Sequence, residues 1–200
     1  MIPSKQYVQM ACEATPQNAE KYYDPLVATM LKYEINTPTR IAAFLATIEV
    51  ESAHLSAVEE GLYYSTPERL ATIFKRAFKT PAEALPYIKN PKALSMKLYN
   101  GFHGRGLIQL TWQENYIKCG TALGVDFVAN PSLLATPRYA ALSAGWFWDA
   151  HQLNQWADKS DMDHITLEVN GKAKLALQER IAEFRRIRDQ ISARFDAWLN

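Results

Sequence analysis

Apolar residues recur at helical spacing along most of the chain. Ile41, Phe44, Leu45 and Ile48 form one stripe. Leu70, Ile73, Phe74 and Ala77 form a second, and Leu177, Ile181, Phe184, Ile187, Ile191 and Phe195 the longest. Each stripe predicts a helix with one buried face. Several helices are announced by a capping residue followed by proline: Asp24-Pro25, Thr37-Pro38, Thr66-Pro67, Asn90-Pro91, Asn130-Pro131 and Thr136-Pro137. Proline has the backbone angle of a first helical turn, and the preceding side chain can accept the orphan N–H groups. Thr111-x-x-Glu114 reads as a capping box opening a helix that stops near Gly124. Two stretches break the rhythm: the Tyr-rich 59–65, and 100–111, where Gly101, Gly104 and Gly106 precede a short extended run. Either suits a hairpin or a cleft-lining loop. The expected fold is mainly α.

Composition narrows the function classes. Of 200 residues, 48% are apolar and 22% charged, as in an ordinary globular protein with a sizeable core. Lys and Arg number 22 against 21 acidic residues, so the basic excess of a nucleic-acid binder is missing. Two cysteines, Cys12 and Cys119, are too few for a disulfide scaffold and point to a reducing compartment. No run approaches the roughly 18 apolar residues of a membrane helix, so membrane insertion is not expected. The N-terminus has no apolar core of signal-peptide length, so synthesis in the cytoplasm without an exit route of its own is expected. No linker or repeat interrupts the chain, and residues 1–200 read as a single domain. All five tryptophans lie in the second half, which predicts the larger core there, with Trp112 the exception.

The candidate chemistry lies in carboxylates. Glu51 sits at the edge of the Ile41/Phe44/Ile48 stripe, near the angular position of Phe44. A carboxyl against an apolar wall loses solvation, its pKa rises, and it can serve as a general acid. Glu49, on the other flank, is its rival. Glu60 lies in the Tyr-rich loop beside Glu59, where a carboxylate stays ionised as a general base should. Paired carboxylates in unlike environments are what glycoside hydrolysis uses, and Tyr63 and Tyr64 offer stacking faces for sugars. On the pattern alone, solvated surface glutamates and core tyrosines are the simpler account. Glu51-x-x-His54 resembles half of a helical di-metal site, but the second half is missing, and His54, His103, His151 and His164 show no ligand spacing. No metal or cofactor is expected. The glycine loop lacks the strand and the Gly-Lys-Ser/Thr ending of a phosphate loop, so close approach of backbone to a ligand explains it better. Ser52 lacks a nucleophile elbow. Arg180, Arg185, Arg186, Arg188 and Arg194 read as a solvated helix face, with contact to an anionic envelope surface as the sharper alternative.

Several segments together resemble glycoside hydrolase family 19, the chitinase-like group that includes phage endolysins. Phe44 to Ser52 (FLATIEVES) is similar to the segment around that family's catalytic acid, and Glu59 to Ser65 (EEGLYYS) to its second-glutamate loop. His103 to Thr111 (HGRGLIQLT), with Asn115-Tyr116, resembles its most distinctive motif. Ala141 to Trp148 and Val169-Asn170-Gly171 follow in order. The chain departs from the family pattern at Val50, Ala53-His54, the short loop 100–102, and Lys172. The resemblance implies a lysozyme-like, two-lobed α fold with a small hairpin or loop region lining a cleft. It implies hydrolysis of β-1,4 bonds at N-acetylated sugars with inversion, and hence carboxyls about 6.5–9.5 Å apart. Carried over by position, Glu51 is the acid and Glu60 the base. Thr111 holds the attacking water, while Gln109, Asn115, Asn170 and Arg180 line or orient the substrate site. The resemblance is strongest to single-domain endolysins acting on Gram-negative bacteria. It implies a monomer whose partner is the peptidoglycan glycan strand, reached in the periplasm through a separate pore or delivery system. Chitin, or a non-catalytic glycan-binding role, is the alternative.

Overall fold

The computed structural model describes residues 2–198, with side chains described as far as residue 191, so the readings of Arg194 and Phe195 lie outside it. Among the described residues eleven helices follow one another: α1 (Lys5–Ala11), α2 (Pro16–Lys32), α3 (Pro38–Glu51), α4 (Pro67–Ile73), α5 (Pro81–Ala84), α6 (Pro91–Tyr99), α7 (Gln113–Leu123), α8 (Pro137–Ala150), α9 (Leu153–Asp158), α10 (Met162–Asn170) and α11 (Leu177–Trp198). Short 3-10 turns lie at Leu85–Tyr87, Pro131–Ala135 and Gly171–Ala173. No described helix is long and apolar enough to cross a membrane.

Capping residue plus proline is the main initiation device, with amendments. Thr37 and Asn90 accept from the N–H of Arg40 (3.2 Å) and Ala93 (3.1 Å). Thr15 and Thr80, each also before a proline, do the same for Asn18 (3.2 Å) and Glu83 (3.4 Å). Thr66 and Thr136 take the N-cap position without a side-chain cap, and Asn130 opens a 3-10 turn. Asp24-Pro25 starts nothing: Pro25 lies inside α2. There the buried face of Ala19, Tyr22, Leu26, Thr29 and Met30 runs unbroken past it. Tertiary burial outweighs the one hydrogen bond that proline removes.

Two cores divide the molecule. The larger gathers α1–α3 with α7–α11 around α3, whose residues Ile41 to Ile48 are all buried. Phe44 meets the buried Trp148 edge to face at 5.3 Å, and α11 packs along α3. The smaller joins Leu62, Leu70, Phe78, Ala84 and Leu94, from α4–α6 and the loop before them. The larger core is thus drawn from both ends of the chain rather than from its second half, because α2 and α3 pack against the C-terminal helices. Among the described tryptophan side chains Trp112 is the exposed one, as expected. The second stripe is cut short: α4 ends at Ile73, which is exposed, and Phe74 and Ala77 pack from beyond the helix. In α11, Leu177 and Ile181 are half-buried, while Phe184, Ile187 and Ile191 enter the core. The fold is therefore mainly α and lysozyme-like with two lobes. The only β-bridges among the described residues are two isolated antiparallel ones, Glu59 with Arg105 and Arg105 with Leu110. They join the two stretches that broke the helical rhythm.

The C-terminal arginines are not a uniformly solvated face. Arg186 donates to the carbonyls of Met10 (3.2 Å) and Ala11 (2.8 Å), satisfying the end of α1, and Arg180 is buried. Cys12 and Cys119 are free and buried.

Candidate active site

Glu51 is the last residue of α3. The chain then reverses through three consecutive left-handed residues, Ala53, His54 and Leu55 (φ 45°, 62° and 61°). His54 is therefore not on the helix, and a helical Glu-x-x-His pair does not form. Ser52 is fully buried; its hydroxyl donates to the Ile48 carbonyl (2.5 Å) and accepts from the Leu55 N–H (3.1 Å), which excludes a nucleophilic role.

The Glu51 carboxylate lies among polar groups, contrary to the apolar wall expected for it. Arg180 of α11 and Asn170 at the end of α10 (2.8 Å) both donate to its Oε1. Arg180 is 1% exposed and also reaches the Thr47 carbonyl at 3.3 Å. The desolvated carboxyl of α3 is Glu49, 3% exposed, whose pKa burial pushes up to about 7 against the opposing pull of His54. Both glutamates flank the same stripe, and a helical wheel does not show which flank meets an arginine. The packing of α10 and α11 makes that choice.

Glu60 is held by the glycine loop. Its N–H donates to the Gly104 carbonyl (2.9 Å), and the Gly104 N–H returns a bond to Oε2 (3.3 Å). Tyr99, ending α6, donates its hydroxyl to Oε1 at 2.8 Å. Burial, and then that bond, hold the Tyr99 phenol well above its usual range, so it remains a donor. Neighbouring Glu59 accepts from His103 Nε2 (2.8 Å) and Arg105 Nε (2.9 Å). Burial raises its pKa, but the hydrogen bonds and charges of His103 and Arg105 together outweigh that and hold it below the ordinary value. Arg105 continues to the Tyr116 hydroxyl (2.9 Å), which donates to the His103 carbonyl (2.5 Å). Tyr99, His103, Arg105 and Tyr116 thus position the Glu60 loop. Sequence reasoning gave none of them a role, because their partners lie 11 to 46 positions away.

Gln109 takes φ 51° and donates to the carbonyls of Ala57 and Gly106, each at 3.2 Å, tying the loop to the turn that follows Glu51. Thr111 donates its hydroxyl to the Gln109 carbonyl (2.9 Å), and Asn115 its amide to the Thr111 carbonyl (2.8 Å). The expected capping box does not form. Trp112, at φ 77°, occupies the N-cap position of α7, which leaves Thr111 one residue too early to cap. The glycines serve close approach of protein to protein. A Cβ on Gly104 would lie 2.8 Å from Gln109 Oε1 and 3.4 Å from Thr111 Oγ1. Gly106, at φ 80°, has the Ser143 hydroxyl 2.6 Å from where its Cβ would be.

Gln109, Thr111 and Asn115 face Glu168 and Val169 of α10 across a cavity of about 400 Å³. Asn170, next along α10, holds Glu51, while Thr111 lies beside Gly104 and so beside the Glu60 anchor. The fold therefore gathers all seven candidate residues around one region in two groups: Glu51 with Asn170 and Arg180, and Glu60 with the glycine loop. Tyr63 is 64% exposed, while Tyr64 is turned into the smaller lobe against Phe74.

The family model for class I chitinases, glycoside hydrolase family 19, matches residues 10–196. A glycosyl hydrolase family 19 domain-containing protein of Haemophilus influenzae is 26% identical over 170 residues, covering 78% of this chain and 82% of that protein. Endochitinase 1 of Theobroma cacao is 56% identical over 48 residues, which is 24% of this chain; the match spans only 15% of the plant protein. Among solved structures, chitinase C from Streptomyces griseus superposes with a TM-score of 0.64 at 22% identity, over 93% of this chain and 75% of that one, a likeness of fold.

Proposed function

We propose, for a chain that belongs to glycoside hydrolase family 19, that it hydrolyses β-1,4 bonds of an N-acetylated glycan, and that this glycan is peptidoglycan. The carrying observation is the unlike setting of the two carboxylates. Glu51 is gripped by a buried guanidinium and an amide, whereas Glu60 hangs on one hydroxyl and one backbone N–H. In this reading Glu51 donates a proton to the glycosidic oxygen as the bond breaks. Glu60 takes a proton from the water that attacks the opposite face of the sugar, with Thr111 orienting that water. The result is inversion.

The surface beside Glu60 supports an anionic polymer over neutral chitin. Tyr99 and Trp112, in edge contact at 5.3 Å, line a cavity of about 580 Å³ together with Phe74, Lys75, Arg76 and Lys97. Aromatic faces suit sugar rings, and three cations without a lining carboxylate suit the lactyl and peptide carboxylates of a cell-wall strand. An endolysin or injected lytic role, exerted in the periplasm by a monomer, fits this reading. The test is digestion of purified Gram-negative peptidoglycan and of colloidal chitin side by side. NMR of the first products identifies the anomer formed, and mass spectrometry identifies the sugar bearing the new reducing end. Release of β-anomer product, or faster turnover of chitin than of peptidoglycan, overturns the mechanism or the substrate respectively. Binding without cleavage of either glycan supports the non-catalytic alternative.

A further inference from the structure

Behind the catalytic end of α3 lies a second group of ligand-type side chains. Glu13, in the left-handed corner between α1 and α2 (φ 47°), Glu49 on α3, and His54 in the left-handed turn each bring one ligand atom within 4.8 Å of the other two. Among the described residues this is the one such trio. Glu49 is 3% exposed, and its Oε2 has no hydrogen-bond partner among the described residues, while His54 Nδ1 lies 2.6 Å from its Oε1. A buried carboxylate with an orphan oxygen calls for a partner beyond these residues. Glu13 and His54 are about half exposed, which leaves an entry path from solvent.

We infer that Glu13, Glu49 and His54 form a binding site for a divalent transition-metal cation of the zinc class, distinct from the glycan site. The donor set, one imidazole and two carboxylates, suits such a cation better than the all-oxygen shells of calcium or magnesium. The charge also matches. Arg186 lies 3.7 Å from Glu13 and forks onto Glu183, so Glu183 offsets the arginine and the two ligand carboxylates leave two negative charges for the cation. Metal–ligand bonds of about 2.0–2.2 Å set neighbouring ligand atoms roughly 3.3 Å apart in a tetrahedron. His54 Nδ1 and Glu49 Oε1 are already closer than that, so the half-exposed His54 and Glu13 side chains, free to move on the solvent side, would have to readjust around the cation, with solvent as fourth ligand. The bound cation clasps the corner after α1, the end of α3 and the turn after it. These are the segments that set where Glu51 emerges.

The test is titration of the chelator-treated full chain with zinc chloride, read by calorimetry and by thermal melting. One saturable site and a rise in melting temperature are expected. His54→Ala and Glu13→Gln should each weaken binding at least tenfold, while His151→Ala and His164→Ala, which alter histidines outside the trio, should not. Glu49→Gln, near-isosteric and free of the buried charge, separates folding from binding: it should fold and bind no zinc. No saturable binding, or binding that survives His54→Ala undiminished, overturns the assignment.

Discussion

Replacing Glu49 by Gln isolates the cost of a desolvated charge next to the proposed acid. The folded-state pKa of Glu49 rises from 4.5 to about 7, chiefly by burial. The folded protein therefore holds this proton more tightly than the unfolded chain does. Wild-type stability falls as pH climbs from the unfolded value through the folded one, because the native state must then keep an ionised carboxylate away from water. Each pH unit in that window is worth about 1.4 kcal/mol. Between about pH 5 and about pH 8 the wild type loses roughly 2–3 kcal/mol that the Gln variant does not lose. For a chain of this size that is roughly 5–10 °C in Tm. The assay is urea unfolding of both proteins across this range in chelator-containing buffer, which keeps cations off the carboxyl. The variant should gain steadily on the wild type as pH rises. A stability difference that stays flat would refute the reasoning and show that Glu49 is solvated or fully paired in solution.

The remaining predictions concern the glycan site. Glu51→Gln should lower kcat by about 10²–10⁴-fold and, by leaving the buried Arg180 guanidinium without its counter-charge, also lower stability by up to about 3–5 kcal/mol; wild-type lysis by this variant would remove Glu51 from the mechanism. Arg180→Met should lower stability by about 3–5 kcal/mol, as for one broken half of a buried ion pair. The Arg180→Met/Glu51→Gln double variant should recover part of that loss, and denaturant titration reads both. Thr111→Ala should reduce kcat at least tenfold, about 1.4 kcal/mol of barrier, with little change in KM and helix α7 intact, while Thr111→Ser keeps most of the rate. A wild-type rate for Thr111→Ala would limit this hydroxyl to bracing its loop. Lys75→Glu combined with Arg76→Glu should raise KM for peptidoglycan and leave hydrolysis of neutral N-acetylglucosamine oligomers unchanged. An equal effect on both substrates would remove the charge argument.

What the sequence by itself determined was local. The proline-led starts of α3 and α6, the buried stripe of Ile41, Phe44, Leu45 and Ile48, and the two irregular stretches 59–65 and 100–111 all follow from residue type and spacing. The motif resemblance picked out seven candidate site residues, which the fold gathers around one region. Tertiary structure decided everything that depends on which neighbour a residue meets. Pro25 lies inside a helix because a continuous apolar face holds it there. Thr111 does not cap α7, because Trp112 takes that place at the end of a loop that Gln109 braces through the carbonyls of Ala57 and Gly106. Of two glutamates on the flanks of one stripe, Glu51 meets Arg180 and Asn170 from helices more than a hundred positions away, while Glu49 is left buried with an orphan oxygen. Helical periodicity says that a residue lies near a core; it carries no information about the polarity of the helix on the other side.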